Sequence, residues 1–388
     1  MKVLFVTGSL VHGGAERHSI TLANRFAERG HECRFAYVKN DPSQLGRLRL
    51  PEGAVRCLYA SKYLDVDALL TLRGEILRRT PTVILAANPY ALMYATLAKR
   101  LAGSPAPLAV VYHSTRLRGW KETAQMLAYR PMFWAAERAV FVCEAQRRYW
   151  RARQVFGRAS EVVYNGVDTA WWKPYGPAER RRLRGALGMA EGDYAIGISA
   201  VLRPEKNHLQ LVEAIAMLRR RAAGRSANAR ALIIGDGPLR GAIEAHARRL
   251  GVAPYVTVTG FQEDVRPFVA ACDAMALTSF TEAFSLAAIE AMALGRPVVH
   301  SDVGGAAEMI RPGRNGFLYP VGDTPALVDR LAALAAPGAA QRMGERAREA
   351  VEARVSEQAM VERYEPMLRQ KETKGTKHAN VRSPAGAH

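Results

Sequence analysis

The feature that most constrains the fold is an alternation of short apolar segments with longer amphipathic ones along most of the chain. The short segments are rich in β-branched and aromatic residues and are apolar almost throughout, as is typical of strands buried on both faces of a parallel sheet. In the first longer segment, Ala15, Leu22 and Phe26 share one helical face, and Gly30 is placed to end the helix. Repeated β–α units predict an α/β fold with doubly wound parallel sheets.

The strand candidates form two groups, and the segment between them predicts a domain boundary. From residue 165 to 193 the alternation weakens, and turn signals, prolines and arginines replace it, so we interpret this segment as an interdomain linker. Two Rossmann-like domains are predicted, residues 1–168 and 190–352. Their strand candidates are 3–7, 33–38, 55–59, 82–87, 108–113 and 139–143 in the first, and 194–201, 231–235, 256–259, 274–277 and 297–300 in the second.

Composition limits the classes of protein that fit this pattern. The 388 residues suit about two domains, and 49% hydrophobic with 23% charged residues excludes bulk disorder. Only the polar tail, residues 371–388, is predicted to be disordered. The formal net charge of +19 indicates a polyanionic partner, which composition leaves open between nucleic acid, an anionic membrane and phosphorylated small molecules.

The cysteines and the apolar segments bear on location. The four cysteines lie far apart and form no C-x-x-C pair, which favours reduced thiols in the cytosol over a zinc site or a disulfide scaffold. The N-terminal apolar run is too short for a signal peptide. No stretch approaches the roughly 20 apolar residues that span a bilayer. We therefore expect a cytoplasmic protein that is soluble or lies on a surface.

Two motifs at the predicted strand ends suit an anionic ligand. Gly13 and Gly14 follow the first strand and open a helix, where free backbone N–H groups and the helix dipole attract phosphate. Arg203 and Lys206 follow the strand that ends near Val201, at the sheet edge where doubly wound folds bind ligands. Taken alone, each motif is also compatible with a plain turn.

The most specific motif places two carboxylates around the start of a helix. Glu282 lies in the preceding loop, Ser285 is suited to cap the helix, and Glu290 lies about a turn and a half inside it. Glu290 has apolar neighbours, so its carboxylate is costly to bury unless something satisfies it. Ligand hydroxyls would do so, and so would a partner arginine or a backbone cap.

Three further features carry less information. The glycines of the segment 235–241 have the wrong spacing for a dinucleotide fingerprint and are interpreted as a structural turn. His113 ends a predicted strand on the ligand side, with Arg116 and Arg118 after it. Residues 164–168 are interpreted as a connection only.

In this order the motifs resemble the retaining glycosyltransferases of family 4, which have the GT-B fold of two Rossmann-like domains facing a central cleft. The resemblance runs from Gly13-Gly14-Ala15-Glu16 through Arg203 and Lys206 to Glu282 and Glu290, and on to a closing amphipathic helix. Glu282 and Glu290 match the family's E-x₇-E motif. The resemblance implies that the closing helix, about 354–370, joins the first domain.

The resemblance implies a role for each residue around a nucleotide-sugar donor, with a UDP-sugar as the expected donor. Arg203 and Lys206 would hold the pyrophosphate, Glu290 the ribose hydroxyls and Glu282 the hydroxyls of the donor sugar. His113 would position the donor sugar and the incoming acceptor, so the expected catalytic residues are His113, Glu282, Arg203 and Lys206. Further contacts to sugar, phosphate or base are expected at Gly13, Gly14, Phe261, Val265, Phe284, Ser285 and Leu286.

The same resemblance implies the chemistry. Two cations and a helix N-terminus would replace the metal ion that other transferases use, so neither a metal nor another cofactor is expected. Retention suggests front-face attack through an oxocarbenium-like transition state, and closure of the domains over the donor would limit its hydrolysis. The acceptor is expected to be a glycan or a lipid-linked molecule of bacterial lipopolysaccharide or another surface polysaccharide.

Other classes of function stay open at this stage. A nucleotide-sugar epimerase can share the GT-B scaffold, but it would consume its substrate without an acceptor. The net charge also allows a nucleic-acid-binding protein, although no recognised nucleic-acid motif is present. An inactive scaffold would not need Arg203, Lys206, Glu282 and Glu290 together.

One basic segment suggests contact with an anionic membrane on the cytoplasmic face. Between residues 138 and 158, arginines alternate with Tyr149, Trp150 and Phe156. A solvated basic helix face is the alternative.

Overall fold

Two β-sheets organise the computed structural model, which describes residues 1–113, 117, 119–221 and 224–369. Arg116, Arg118 and the predicted disordered tail, 371–388, lie outside the described residues. The first sheet consists of β1 (Lys2–Thr7), β2 (Glu32–Tyr37), β3 (Val55–Cys57), β4 (Val83–Ala87), β5 (Leu108–Tyr112), β6 (Arg138–Phe141) and β7 (Ala159–Val162). The second consists of β8 (Tyr194–Ser199), β9 (Ala229–Ile234), β10 (Val256–Val258), β11 (Ala274–Leu277), β12 (Val298–Ser301) and β13 (Gly316–Tyr319).

Both sheets are parallel and doubly wound, which confirms the predicted fold class. The strand order is β3-β2-β1-β4-β5-β6-β7 in the first sheet and β10-β9-β8-β11-β12-β13 in the second. The paired strands of the described residues all run parallel. The order reverses between β1 and β4 and between β8 and β11, so each sheet has a switch point at which such folds bind ligands.

Helices cover the sheets and complete the two domains. The first domain carries α1 (Gly14–Glu28), α2 (Val66–Arg79), α3 (Asn88–Leu101), α4 (Trp120–Ala135) and α5 (Glu144–Arg151). The second carries α6 (Pro177–Ala186), α7 (His208–Arg221), α8 (Arg240–Arg249), α9 (Arg266–Ala271), α10 (Leu286–Ala293), α11 (Ala306–Met309), α12 (Thr324–Leu334) and α13 (Ala339–Arg354). The last helix, α14 (Glu357–Arg369), packs against α1. No helix of the described residues is long and apolar enough to cross a membrane.

Burial on both faces explains why the strands are apolar almost throughout. In β1, Leu4 and Val6 point into a core under α2, α3 and α4, whereas Val3 and Phe5 point into a second core under α1 and α14. In α14, Tyr364 is fully buried in that second core. The closing helix therefore belongs to the first domain by its packing, although the second domain precedes it in the chain.

The segment between the domains contains a helix that the sequence pattern did not reveal. In α6, Arg180 and Arg184 donate hydrogen bonds to the carboxylate of Asp273, at 2.8 Å and 3.1 Å. Burial alone would raise the pKa of Asp273, but the nearby guanidinium groups of Arg180, Arg184 and Arg225 hold it below its usual value. The arginines of this segment thus anchor α6 to the second domain.

Candidate active site

A cleft of about 1040 Å³ lies between the two domains at the carboxyl ends of both sheets. Its walls include residues that follow β1 and β5 in the first domain and β8 and β11 in the second, so it joins the two switch points. The structure brings together almost all of the predicted site residues in its lining, namely Gly13, Gly14, His113, Arg203, Lys206, Val265, Glu282, Phe284, Ser285, Leu286 and Glu290.

Two helices begin at this cleft from opposite sides. The N-cap of α1 is Gly13, which supplies no side-chain hydrogen bond; the Glu16 carboxylate takes its own backbone N–H, which leaves the N–H groups of Gly14 and Ala15 to a ligand. The N-cap of α10 is Ser285, whose hydroxyl accepts a hydrogen bond from the N–H of Ala288 at 3.3 Å. A Cβ atom on Gly14 would lie 3.5 Å from Leu286, so the two helix ends nearly touch. Their dipoles favour negative charge between them.

The buried carboxylate of Glu290 is paired with an arginine from the opposite domain. Arg17 of α1 donates from its guanidinium to Glu290 of α10 across the cleft. Burial raises the pKa of Glu290, while Arg17 and the more distant Arg47 oppose that rise. The sequence indicated that Glu290 needs a partner, but it did not identify Arg17, which directly follows the Gly-Gly-Ala-Glu motif.

The other predicted carboxylate, Glu282, is paired within its own domain. Lys206 donates from its ammonium group to Glu282, which also accepts a hydrogen bond from the hydroxyl of Ser279 at 3.2 Å. Thr278, at the end of β11, donates to the backbone oxygens of Lys206 and Asn207 at 2.8 Å and 2.9 Å. The end of β11 therefore fixes the cationic turn beside the loop that carries Glu282.

Arg203 differs from Lys206 in having no partner. It is exposed at the start of the cationic turn, and none of the described residues forms an ion pair or a side-chain hydrogen bond with it. Its guanidinium lines the cleft with its five donors available. A diphosphate in the cleft would meet Arg203 unpaired and Lys206 already held by Glu282.

The loop after Glu282 is fixed by hydrogen bonds from residues that were not predicted to belong to the site. The carbonyl oxygen of Ala283 accepts hydrogen bonds from the N–H of Gly305 at 2.7 Å and from the thiol of Cys143 at 3.3 Å. Asn165 donates to the carbonyl of Phe284 at 3.1 Å, so the segment 164–168 supports the site besides connecting the domains. A side chain at position 304 would overlap the backbone of Glu282. The adjacent glycines Gly304 and Gly305 are the sequence signal that could have indicated this close approach.

His113 presents a neutral imidazole to the cleft. Its backbone N–H donates to Asn88 at 3.1 Å, and its ring lies 4.8 Å from the ring of His18. The ring atom Nε2 is buried and has no hydrogen-bond partner among the described residues. Burial lowers the pKa of His113 well below its usual value, and His18 adds to that effect. The unpartnered Nε2 is therefore available to a ligand hydroxyl.

We expect the buried histidines to make the protein less stable in mild acid. Burial lowers the pKa of His18 from 6.5 to about 4, so below pH 6.5 the unfolded chain binds a proton that the folded protein does not. The free energy of unfolding should therefore fall from pH 6.5 towards pH 4, with about 2 kcal/mol of the loss at pH 5 due to His18. Urea unfolding at several pH values measures this dependence.

A matched pair of histidine variants separates this effect from general acid sensitivity. The His18→Gln variant should show a weaker pH dependence of the unfolding free energy than the wild type. The His12→Gln variant should not, because His12 is exposed. Equal slopes for the wild type and His18→Gln would contradict the assignment.

Two of the residues predicted to contact the donor, Phe261 and Val265, lie in different places relative to the cleft. Val265 lines the cleft, whereas the exposed Phe261 lies at its mouth, with its ring 5.5 Å from that of His12 in the first domain.

In the segment 235–241, a Cβ on Gly235 or Gly237 would overlap backbone atoms of residues 200–202, so these glycines allow close packing just before Arg203. No group of three or more His, Cys, Asp or Glu side chains in the described part of the chain is placed to hold a metal ion.

Family models match both domains. A model described as Glycosyltransferase Family 4 matches residues 12–171, and one described as Glycosyl transferases group 1 matches residues 194–336. The first match contains Gly13, Gly14, Arg17 and His113 of the cleft, and the second contains Arg203, Lys206, Glu282 and Glu290.

Relatives and solved structures extend the similarity over nearly the whole chain. N-acetyl-alpha-D-glucosaminyl L-malate synthase of Bacillus anthracis is 27% identical over 366 residues, which cover 91% of this chain and 93% of the relative. The lipopolysaccharide core biosynthesis glycosyltransferase LpsE of Rhizobium meliloti is 28% identical over 364 residues, covering 92% and 96%. Among solved structures, Anabaena HepE in complex with UDP superimposes with a TM-score of 0.83 at 22% identity, covering 95% and 99%.

Proposed function

Because this chain belongs to glycosyltransferase family 4 and has the GT-B fold, we propose that its cleft binds a nucleotide-diphosphate sugar and transfers the sugar with retention of configuration. One observation carries the proposal. Two helix N-termini, the cations Arg203 and Lys206 and the carboxylates Glu282 and Glu290 converge on one cleft at the switch points of both sheets. This arrangement suits a diphosphate flanked by two hydroxyl-bearing rings.

In the proposed complex, the diphosphate lies between the start of α1 and the cationic turn. Lys206 and Arg203 neutralise the negative charge that grows on the diphosphate as the bond to the sugar breaks, and N–H groups at Gly14 add hydrogen bonds. These groups are in place before the reaction, so little reorganisation is needed. We propose that they make a metal ion or another cofactor unnecessary for departure of the diphosphate.

Sugar-donor binding must rearrange the two ion pairs of the ligand-free cleft. Glu290 accepts hydrogen bonds from the ribose hydroxyls only when Arg17 moves away from it. Lys206 has to share its ammonium donors between Glu282 and the diphosphate, while Glu282 turns towards the donor sugar. Each carboxylate thus has a hydrogen-bond partner whether the cleft is empty or filled, which offsets the cost of shielding it from water.

The acceptor approaches from the first domain in this proposal. His113 lies at the end of β5 on that side, and its buried Nε2 is free to bind a hydroxyl of the donor sugar or of the acceptor. The bond from the sugar carbon to the diphosphate breaks and the acceptor hydroxyl attacks from the same face through an oxocarbenium-like transition state, with its proton passing to an oxygen of the departing diphosphate. His113 positions the reactants and, since its imidazole is neutral, adds no positive charge beside that cation.

The comparisons support a specific donor and acceptor class. HepE has been solved with UDP and with UDP-glucose, which supports a UDP-sugar as donor. LpsE acts in lipopolysaccharide core biosynthesis, which supports a glycan or lipid-linked acceptor of the cell surface. We propose that the protein works in the cytoplasm, at the inner face of the membrane.

A ligand screen tests the proposed donor. UDP-sugars at about 100 times their Kd should raise the melting temperature by about 5 °C. GDP- and ADP-sugars at the same concentration should raise it less. Uridine, which lacks the diphosphate, should shift it far less. No response to any nucleotide sugar would contradict the proposal, and conversion of the UDP-sugar without any acceptor or hydrolysis would favour the epimerase alternative.

A further inference from the structure

The outer face of α4 carries large apolar side chains that are largely exposed, although Trp134 donates from Nε1 to the carbonyl of Gln154 at 2.9 Å. Trp120, Leu127 and Trp134 are 77%, 50% and 44% exposed, and each follows the last by seven residues, which places them on one side of the helix. Ala124, Ala128 and Pro131 are exposed on the same side of the helix, and the other exposed positions between the tryptophans are polar: Lys121, Glu122, Thr123 and Gln125. The inner face is buried in the core through Met126, Tyr129 and Phe133. An apolar stripe about 20 Å long therefore faces outwards.

A neighbouring loop adds exposed apolar side chains on the flank of α4. Between β3 and α2, Tyr63 and Leu64 are 50% and 49% exposed. The Tyr63 hydroxyl contacts the hydroxyl of Tyr129 and accepts a hydrogen bond from Gln125 of α4 at 2.9 Å. Gln125 lies two residues before Leu127, so the loop packs on a different side of α4 from the stripe. We call the stripe together with these loop residues the α4 patch: Tyr63, Leu64, Trp120, Leu127 and Trp134.

The α4 patch reaches the edge of the cleft. The ring of Tyr63 lies 5.2 Å from that of Tyr90, in the first turn of α3. Asn88, at the start of the same helix, accepts the hydrogen bond from the backbone of His113. The patch therefore ends beside the first-domain wall, on the side where the acceptor is proposed to enter.

Charged side chains of both signs border the α4 patch, with Asp65 directly after Leu64 and Glu122 exposed on α4 beside the cations. Lys121 lies 5.8 Å from the Trp120 ring, and Lys62 is exposed within the loop. Arg153 stacks 3.7 Å from the ring of Tyr149, whose hydroxyl accepts a hydrogen bond from the N–H of Leu117 just before α4. Aromatic side chains with adjacent cations suit the boundary of an anionic bilayer. A second copy would bring the same flanking cations against this surface.

The structure moves the membrane hypothesis away from the segment 138–158 that suggested it. Trp150 is fully buried against Tyr112, with the ring centroids 4.8 Å apart, so it cannot enter a bilayer. Arg147 is paired with Glu144 at 2.7 Å, and Arg138 with Glu161 at 3.3 Å. Only the end of this segment, around Arg153, borders the exposed apolar surface.

We propose that the α4 patch is the surface by which the protein lies on an anionic phospholipid membrane. Trp120, Leu127 and Tyr63 enter the headgroup boundary, and the flanking Lys and Arg side chains meet the lipid phosphates. This inference rests on the proposed function, because it explains how an acceptor embedded in the membrane reaches the cleft. An acceptor lipid would cross only from the patch to the adjoining first-domain wall.

Vesicle co-sedimentation tests the proposal independently of catalysis. The full chain should sediment with vesicles of phosphatidylglycerol and phosphatidylcholine, less with phosphatidylcholine alone, and less at high salt. The Trp120→Glu/Leu127→Glu variant should bind anionic vesicles at least about tenfold more weakly. The control Leu77→Glu/Val321→Glu places the same two charges at exposed apolar positions outside the α4 patch and should bind like the wild type.

Separate readouts distinguish failure of this proposal from failure of the proposed function. The patch variant should keep the wild-type thermal shift with the UDP-sugar, since none of its substitutions lies in the cleft. Equal vesicle binding by the patch variant and the wild type, or no binding by either, would overturn the proposal. A concentration-dependent dimer that the variant abolishes would also overturn it, by assigning the patch to self-association.

Discussion

The Glu290→Ala variant is expected to fold but to lose about 10²- to 10⁴-fold in kcat/KM for the sugar donor. In the proposed complex this buried carboxylate accepts hydrogen bonds from two ribose hydroxyls. Each hydrogen bond to a charged group contributes about 1.5–3 kcal/mol, and each 1.4 kcal/mol corresponds to a factor of ten. The loss should appear mainly in donor binding, because the ribose is remote from the reacting carbon.

The fold should survive this substitution because Arg17, the residue that loses its partner, is still in contact with water. Its side chain is 32% exposed, so its charge can be solvated in the empty cleft. Glu290→Gln keeps the shape but removes the charge and should lie between the wild type and Glu290→Ala. Glu349→Ala, at an exposed position of α13, is the matched control. Initial rates against donor concentration measure the effect, and wild-type kcat/KM in Glu290→Ala would refute the assigned role.

The Lys206→Ala variant is expected to lose about 10³-fold in kcat, with a smaller effect on donor binding. Lys206 is proposed to stabilise charge that develops on the departing diphosphate, and removing one such preorganised group typically costs 10²- to 10³-fold. Lys206→Arg should restore part of the activity, since it retains the charge. Arg203→Ala should also be impaired, but less, because Arg203 is more exposed and not held by a partner.

Single-turnover rates at saturating donor separate this role from a structural one. The pair between Lys206 and Glu282 also stabilises the loop, so the melting temperature of Lys206→Ala must be compared with that of Lys206→Arg. If Lys206→Ala loses stability but turns over like the wild type, the lysine only supports the loop and the assignment is wrong.

The strand pattern predicted the fold because apolar segments are common to strands buried on both faces. It missed β7 and β13, two short edge strands. The sequence of β7, Ala-Ser-Glu-Val, has a polar centre because its residues are only partly buried. The helix α6 was missed because its arginines resemble a solvated linker, whereas Arg184 is buried on Asp273.

The candidate site was predictable where a motif is local and unpredictable where the domains meet. Glu282, Glu290, Arg203 and Lys206 stand in short motifs at strand ends, so the sequence located them and the structure places them in one cleft. Arg17 lies 273 residues from Glu290 in the chain, and only the packing of the domains brings them together. The same holds for the support that Asn165 and Gly305 give to the loop after Glu282.

Some of the basic side chains hold the fold together through ion pairs, and others face the cleft or the solvent. Arg25 binds three carboxylates, those of Glu28, Asp168 and Glu357, and the arginines of α6 bind Asp273. Arg203 and Lys206 face the cleft, and Lys62, Lys121 and Arg153 border the α4 patch. The net charge is therefore not a property of one binding surface.

A crystal structure of the protein with UDP, or with the nucleotide that the ligand screen selects, tests the central claim most directly. Diphosphate oxygens should lie within about 3 Å of Lys206 Nζ and the Arg203 guanidinium. The ribose hydroxyls should contact the Glu290 carboxylate, with Arg17 displaced from it. A nucleotide bound elsewhere, with the pair between Arg17 and Glu290 intact, would contradict the account.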